Sequence, residues 1–268
     1  MPFADCNGQR LYYEIHGEGP ALLAVHGLSV DTLGWTLQVP AWSPHHRTIV
    51  FDNRDVGQSS RAQGDYEIAD MAADALALAD ALELEDFHLL GLSMGGTIAQ
   101  EIALTAPERV NSLTLCVTFG GGGNWARTQA QMWSKRVLGM SREERIDELL
   151  LLCLSEAMYE NAEMLAFMRQ MLLSNPHPQE TEAFVRQLQA TSRHEARARL
   201  AQLAMPTHVI GAEQDLLVPV WKSRELAKLI PGARLTVLDG APHGVNVEGA
   251  EQFNAAVLEF LAAAAPAR

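Results

Sequence analysis

A chain of 268 residues can bury one large core, alone or with an insertion. With 48% hydrophobic and 20% charged residues it falls outside the composition of disordered chains. A formal charge of -13 repels a phosphate backbone, and no basic stripe offsets it, which excludes nucleic acid as a partner. The three cysteines, Cys6, Cys116 and Cys153, are odd in number and widely spaced, with no CxxC, as a reducing cytosol favours. The first residues lack a basic segment followed by an apolar one, and the longest apolar runs, such as Leu149 to Leu154, are far too short to span a bilayer. The expectation is a cytoplasmic protein without a membrane partner.

In chain order, an Asn7-Gly8 turn followed by Leu11, Tyr13 and Ile15 at period two predicts an antiparallel hairpin at a sheet edge. Short apolar runs at Ala21 to Val25, Thr48 to Phe51, Phe87 to Leu92, Val110 to Val117, Thr207 to Ile210 and Leu235 to Leu238 predict buried parallel strands. Between them Ile68, Met71, Ala72, Ala75, Leu76, Ala79 and Leu82 share one helical face, and a second helix is predicted from Met94. Strands alternating with helices give right-handed crossovers and a mainly parallel α/β fold. The alternation lapses across 125–195, where only helical patterns occur. These residues are predicted to form a helical cap inserted in a core domain made of 1–124 and 196–268, with Gly120 to Gly123 as a flexible lead into it.

Gly91-Leu92-Ser93-Met94-Gly95 is a G-x-S-x-G sequence set between a predicted strand and a predicted helix. A sharp strand-to-helix turn needs glycine on both sides of a strained serine, whose hydroxyl is then exposed as a nucleophile. A hydroxyl needs a base, and the base needs an orienting acid. Asp215 and His243 each follow a predicted strand, at the sheet edge where α/β folds bind ligands. The chain order Ser93, Asp215, His243 completes a nucleophile, acid and base set. Competing uses are a turn or helix cap for Asp215 and a surface loop for His243, with Glu213 and Asp239 as rival acids. His26-Gly27-Leu28 follows the strand from Ala21, so the backbone N–H groups of Leu28 and Met94 are the candidate oxyanion donors, and His26 is read as scaffold.

Taken together, His26-Gly27-Leu28, the stretch from Asp52 to Ser59, Gly91 to Gly96, Asp215 and Pro242-His243 resemble the α/β-hydrolase superfamily, especially 3-oxoadipate enol-lactonases and small bacterial carboxylesterases. The stretch from Asp52 to Ser59 is also similar to methylesterases of polyketide esters. The resemblance implies a sheet of about eight strands, a helical lid and hydrolysis without metal or organic cofactor. Asp52 and Arg54 are then loop anchors. Asp55 stands where the family's DxRGxGxS pattern usually has glycine. Gly244 stands where relatives that cleave carbon–carbon bonds usually have tryptophan, which disfavours that chemistry, and Ser93 replaces the aspartate of haloalkane dehalogenases.

The function these residues predict is serine hydrolysis of a small-molecule ester or lactone through an acyl-enzyme on Ser93, with activity declining as the base takes up a proton. Three other readings use the same residues or fold: hydrolysis of ring-fission diketones, acyl transfer, and a non-catalytic small-molecule receptor. Trp125, Met132, Trp133, Met158, Phe167 and Met171 are the candidates for a substrate pocket, although helical spacing fits lid core as well. Arg127, Lys135 and Arg136 could meet a substrate carboxylate or simply form a solvated helix face.

Overall fold

The computed structural model describes residues 2–264. Asn7 and Gly8 both sit at positive φ, 48° and 75°, a backbone state these two residue types tolerate. They turn β1 (Phe3–Cys6) back onto β2 (Gln9–His16) in an antiparallel hairpin. The sheet continues through β3 (Ala21–Val25), β4 (Arg47–Phe51), β5 (Phe87–Leu92), β6 (Val110–Cys116), β7 (Thr207–Ala212) and β8 (Arg234–Leu238). Its spatial order is β1-β2-β4-β3-β5-β6-β7-β8; β2 meets β4 antiparallel and every later pairing is parallel.

Successive side chains of a strand face opposite ways, and both faces of this sheet are covered. Leu23, Val25 and Leu89 enter one core with α2 (Ile68–Ala81) and α3 (Met94–Thr105), whereas Leu22, Ala24 and Leu90 enter another with Trp35 and Trp42. Trp42 closes the short α1 (Val39–Trp42). The second core is completed by Phe253 and Val257 of α11 (Ala250–Ala264), which follows the single turn α10 (Val245–Glu248). On α2 the stripe is centred as its spacing predicts, except that Leu78 is buried while Leu76, and Leu82 just past the helix end, are half-buried. Asp74 is buried on the same face because Arg54 forks it at 2.6 and 2.7 Å.

Between β6 and β7 run five helices, α4 (Gly123–Val137), α5 (Arg142–Cys153), α6 (Glu156–Tyr159), α7 (Ala162–Leu173) and α8 (Thr181–Arg193). They enclose two small cores of their own, one around Ala130, Val137, Phe184 and Leu188 and one around Ile146, Leu150, Leu154 and Met168. At their neck Gly121 and Glu195 form an antiparallel bridge, and the Gly121 carbonyl accepts from Lys222 Nζ (3.2 Å) on α9 (Trp221–Leu229) and from Arg197. A Cβ on Gly121 would lie 2.3 Å from the Glu195 carboxylate. The glycine run, expected to be a flexible lead, is therefore pinned at Gly121, where two segments of the chain cross. Among the described residues no helix is long and apolar enough to cross a membrane.

Candidate active site

Ser93 follows the last residue of β5, a central strand, and precedes the first turn of α3. Its backbone has φ 56° and ψ -121°, a sparsely populated region that costs a residue bearing a Cβ about 1–3 kcal/mol. The flanking glycines hold it there. A Cβ on Gly91 would lie 2.3 Å from the Gly95 carbonyl, and a Cβ on Gly95 would lie 2.0 Å from that of Val25. Gly96 is equally constrained against Thr118, whose hydroxyl donates to the Ser93 carbonyl at 2.7 Å.

The loops after β7 and β8 bring the other two groups to this turn. His243 Nε2 is 3.0 Å from Ser93 Oγ, and His243 Nδ1 is 2.7 Å from Asp215 Oδ2. Both His243 and Asp215 are buried. Asp215 also closes the turn ahead of α9, because its Oδ1 accepts the N–H groups of Leu217 and Val218 at 2.8 and 2.7 Å. The capping and orienting uses, alternatives in the sequence, thus belong to different oxygens of one carboxylate. α9 itself starts only at Trp221, after Pro219. Glu213, the rival acid, is exposed and accepts instead from the Gly240 N–H at 3.1 Å.

The backbone after β3 runs directly beside the serine: a Cβ on Gly27 would lie 3.0 Å from Ser93 Cβ and 3.5 Å from its Oγ. Leu28 comes next, and Met94 opens α3, where the first N–H groups have no carbonyl one turn back and the helix dipole favours negative charge. His26 is buried against Trp35, and burial, with His243 nearby, lowers its pKa to about 3. That makes it a neutral scaffold group. Asp52 accepts from the N–H groups of Thr32 and Gln58, both at 2.8 Å, while burial raises its pKa to about 6.

The apolar side chains proposed for a pocket are engaged differently. Trp125, Met132 and Phe167 are 58%, 68% and 64% exposed, and Met171 is exposed as well. Trp133 packs edge-on against Phe184 and donates to Glu148 at 2.7 Å, and Met158 packs on the Ile146 cluster. Arg136 is paired with Glu148. A surface cleft of about 600 Å³ is lined by Glu67, Arg127, Ala130, Gln131, Gln189, Ser192 and Arg193, and not by Ser93, Asp215 or His243.

Three sets of contacts escaped the sequence reading. Asp55, at φ 71°, is fully buried and takes the fork of Arg186 at 2.8 and 2.8 Å, the Tyr66 hydroxyl and the Ala62 N–H. The left-handed backbone accounts for the glycine that the family usually places there, and the carboxylate reaches α8. Glu248 holds both the N–H and the hydroxyl of Ser155, while Gly244 N–H donates to the Cys153 carbonyl at 2.7 Å, tying the His243 loop to the α5–α6 junction. Gln187 of α8 accepts from the Ser29 N–H at 3.0 Å.

The sequence pattern of the α/β hydrolase fold matches residues 20–250. The chain belongs to the α/β-hydrolase family. It is 31% identical over 261 residues to a putative carbamate hydrolase RutD of Azorhizobium caulinodans, spanning 97% of this chain and 98% of that one. Among solved structures it resembles the enol-lactonase of Burkholderia xenovorans, with a TM-score of 0.88 and 28% identity, covering 97% of this α/β hydrolase and 100% of the other chain. A thermophilic esterase from Thermogutta terrifontis gives a TM-score of 0.85 at 27% identity, with 96% and 94% covered. The chain is accordingly an enzyme of the α/β-hydrolase family.

Proposed function

We propose that this hydrolase cleaves a carboxylic ester or lactone through an acyl-enzyme on Ser93. The observation that carries the reading is the line of contacts from Ser93 Oγ through the His243 ring to Asp215, at 3.0 and 2.7 Å. His243 Nε2 takes the hydroxyl proton as Oγ attacks the acyl carbonyl; the C–O bond to the leaving alcohol breaks as that proton is returned to it. Water, deprotonated by the same nitrogen, then adds to the acyl carbon, and the acid leaves as the bond to Oγ breaks and His243 returns the proton to Ser93. Asp215 holds the proton on Nδ1 and stabilises the imidazolium in both steps. The backbone N–H groups of Leu28 and Met94 receive the oxyanion, and the helices α4–α8 form a cap over the site.

The names of the relatives, an enol-lactonase, an esterase and a carbamate hydrolase, share attack on an acyl carbonyl bearing a heteroatom leaving group. Carbon–carbon cleavage is disfavoured at position 244, where the tryptophan usual in that branch has no room: a Cβ on Gly244 already lies 2.9 Å from the Cys153 carbonyl.

The test is steady-state turnover of a p-nitrophenyl ester series, with a lactone and a carbamate alongside, by the wild type and by Ser93→Ala. Turnover by the wild type and its loss in a folded Ser93→Ala supports the reading. Retained turnover in Ser93→Ala overturns it, and stoichiometric ligand binding without product release would make the protein a receptor.

A further inference from the structure

The loop beside Ser93 carries a strained residue of its own. Ser29 is at φ 68°, in the left-handed region, and such a backbone persists only where its surroundings over-determine it. Its N–H donates to Gln187 Oε1 at 3.0 Å across 158 residues of sequence. Gln187 is fully buried on α8, and its carboxamide cannot be turned round. Its Nε2 donates to the Arg54 carbonyl at 2.9 Å, a group that can only accept, so Oε1 is the atom left facing the Ser29 N–H. Gln179 Nε2 donates to the same Oε1 at 3.0 Å and to the Asp55 carbonyl at 3.1 Å, and the adjacent Arg186 fork on Asp55 fixes the register of α8. The side chain of Leu28 meanwhile packs against the Phe184 and Leu188 cluster. One peptide is thus gripped by the inserted helices through both main chain and side chain.

We propose that Gln187 is a positioning residue that holds the Leu28–Ser29 backbone so that the Leu28 N–H reaches the oxyanion, making the oxyanion hole complete only while α8 is docked. The inference rests on the serine hydrolase reading above. An oxyanion donor must stand within hydrogen-bond distance of where charge develops, and its benefit is felt in the transition state rather than in substrate binding. A displacement of about 1 Å suffices to cost about a hundredfold in rate. Without an acceptor for its N–H, Ser29 is free to leave the left-handed region and take the neighbouring Leu28 amide with it.

The experiment compares Gln187→Met, close in volume but without acceptor or donor, with Arg193→Ala, which cuts a different tie of α8 to the core at Glu67 and the Tyr66 carbonyl. Wild-type turnover that Ser93→Ala abolishes must first be in hand; its absence sinks the parent reading and this inference together. Given that turnover, Gln187→Met is expected to lower kcat about tenfold to a hundredfold with KM within about twofold, and to weaken inhibition by an alkyl boronic acid by a similar factor, while Arg193→Ala leaves both near wild type. Unchanged kcat, a loss confined to KM, or an equal loss in Arg193→Ala overturns the inference and leaves the parent reading standing. Should Gln187→Met not fold, Gln187→Asn decides, since its shorter side chain stays polar but cannot span from the Arg54 carbonyl to the Ser29 N–H: a loss in kcat of about fivefold or more upholds the inference, and a smaller change overturns it.

Discussion

At residue scale the division of labour within Asp215 gives a sharp test. Oδ1 is occupied by two N–H donors, from Leu217 and Val218, and Oδ2 faces His243 Nδ1. In Asp215→Asn the single amide oxygen is retained by those two donors, which turns the NH2 group toward the histidine. Nδ1 must then accept, the ring proton moves to Nε2, and Nε2 can no longer take a proton from Ser93. The expected outcome is a loss of about 10³–10⁴ in kcat with stability changed by less than about 1 kcal/mol, read from kinetics and a urea melt of the same preparation. Loss of folding, or retained activity, would contradict the assignment of the two oxygens. That Ser93, His243 and Asp215 meet was legible because each sits just after an apolar run that is a strand. The double use of Asp215 was not, because sequence does not say which oxygen faces which partner.

At the scale of elements, six apolar runs match β3 to β8 within two residues at each end, since a strand buried on both faces is written as a continuous hydrophobic stretch; β8, expected to be buried, departs from this because it is the edge strand, with Leu235 exposed and only Leu238 buried. The inserted helices were legible as helices but not in how they dock. Asp55 and Arg186 lie 131 residues apart, and nothing local in either marks the pairing. Their coupling is measurable. Arg186→Ala leaves a buried carboxylate with only the Tyr66 hydroxyl and the Ala62 N–H, and is expected to cost about 3–5 kcal/mol in urea unfolding. Asp55→Gly removes the charge and suits the φ of 71°. The double variant should therefore be more stable than Arg186→Ala alone. A double variant as unstable as the sum of the two single ones would mean that the pair is not what anchors α8.

For the molecule as a whole, the sheet buries histidines as neutral groups, and that sets how it meets acid. Burial lowers His26 to about 3 and His46 and His208 to about 4, and it lowers His88 as well. A group whose pKa is depressed in the fold contributes stability above its unfolded value, about 6.5 for histidine, and loses it as pH falls toward the folded value. Asp52 works the other way. Burial raises it to about 6, so its penalty is greatest above that pH and fades as pH falls toward its unfolded value, and Asp74 is raised for the same first cause. On unfolding near pH 5 the four histidines take up protons while the two carboxylates release them, and the greater number of histidines leaves a net uptake. Stability should therefore decline steadily from pH 7 to pH 5, measured as urea midpoints at half-unit steps. His208→Gln, which removes a ring buried between Thr236 and Phe260, should reduce that slope by about one proton. A slope unchanged by His208→Gln would place the acid sensitivity elsewhere, in carboxylate contacts such as those of Glu101 with His194 and Arg199, where burial opposes ionisation but these partners hold the carboxyl near 2. Those pairs lose their contribution only as pH falls below about 4.5, through the unfolded carboxylate range and on toward 2, so the two sources separate along the pH axis.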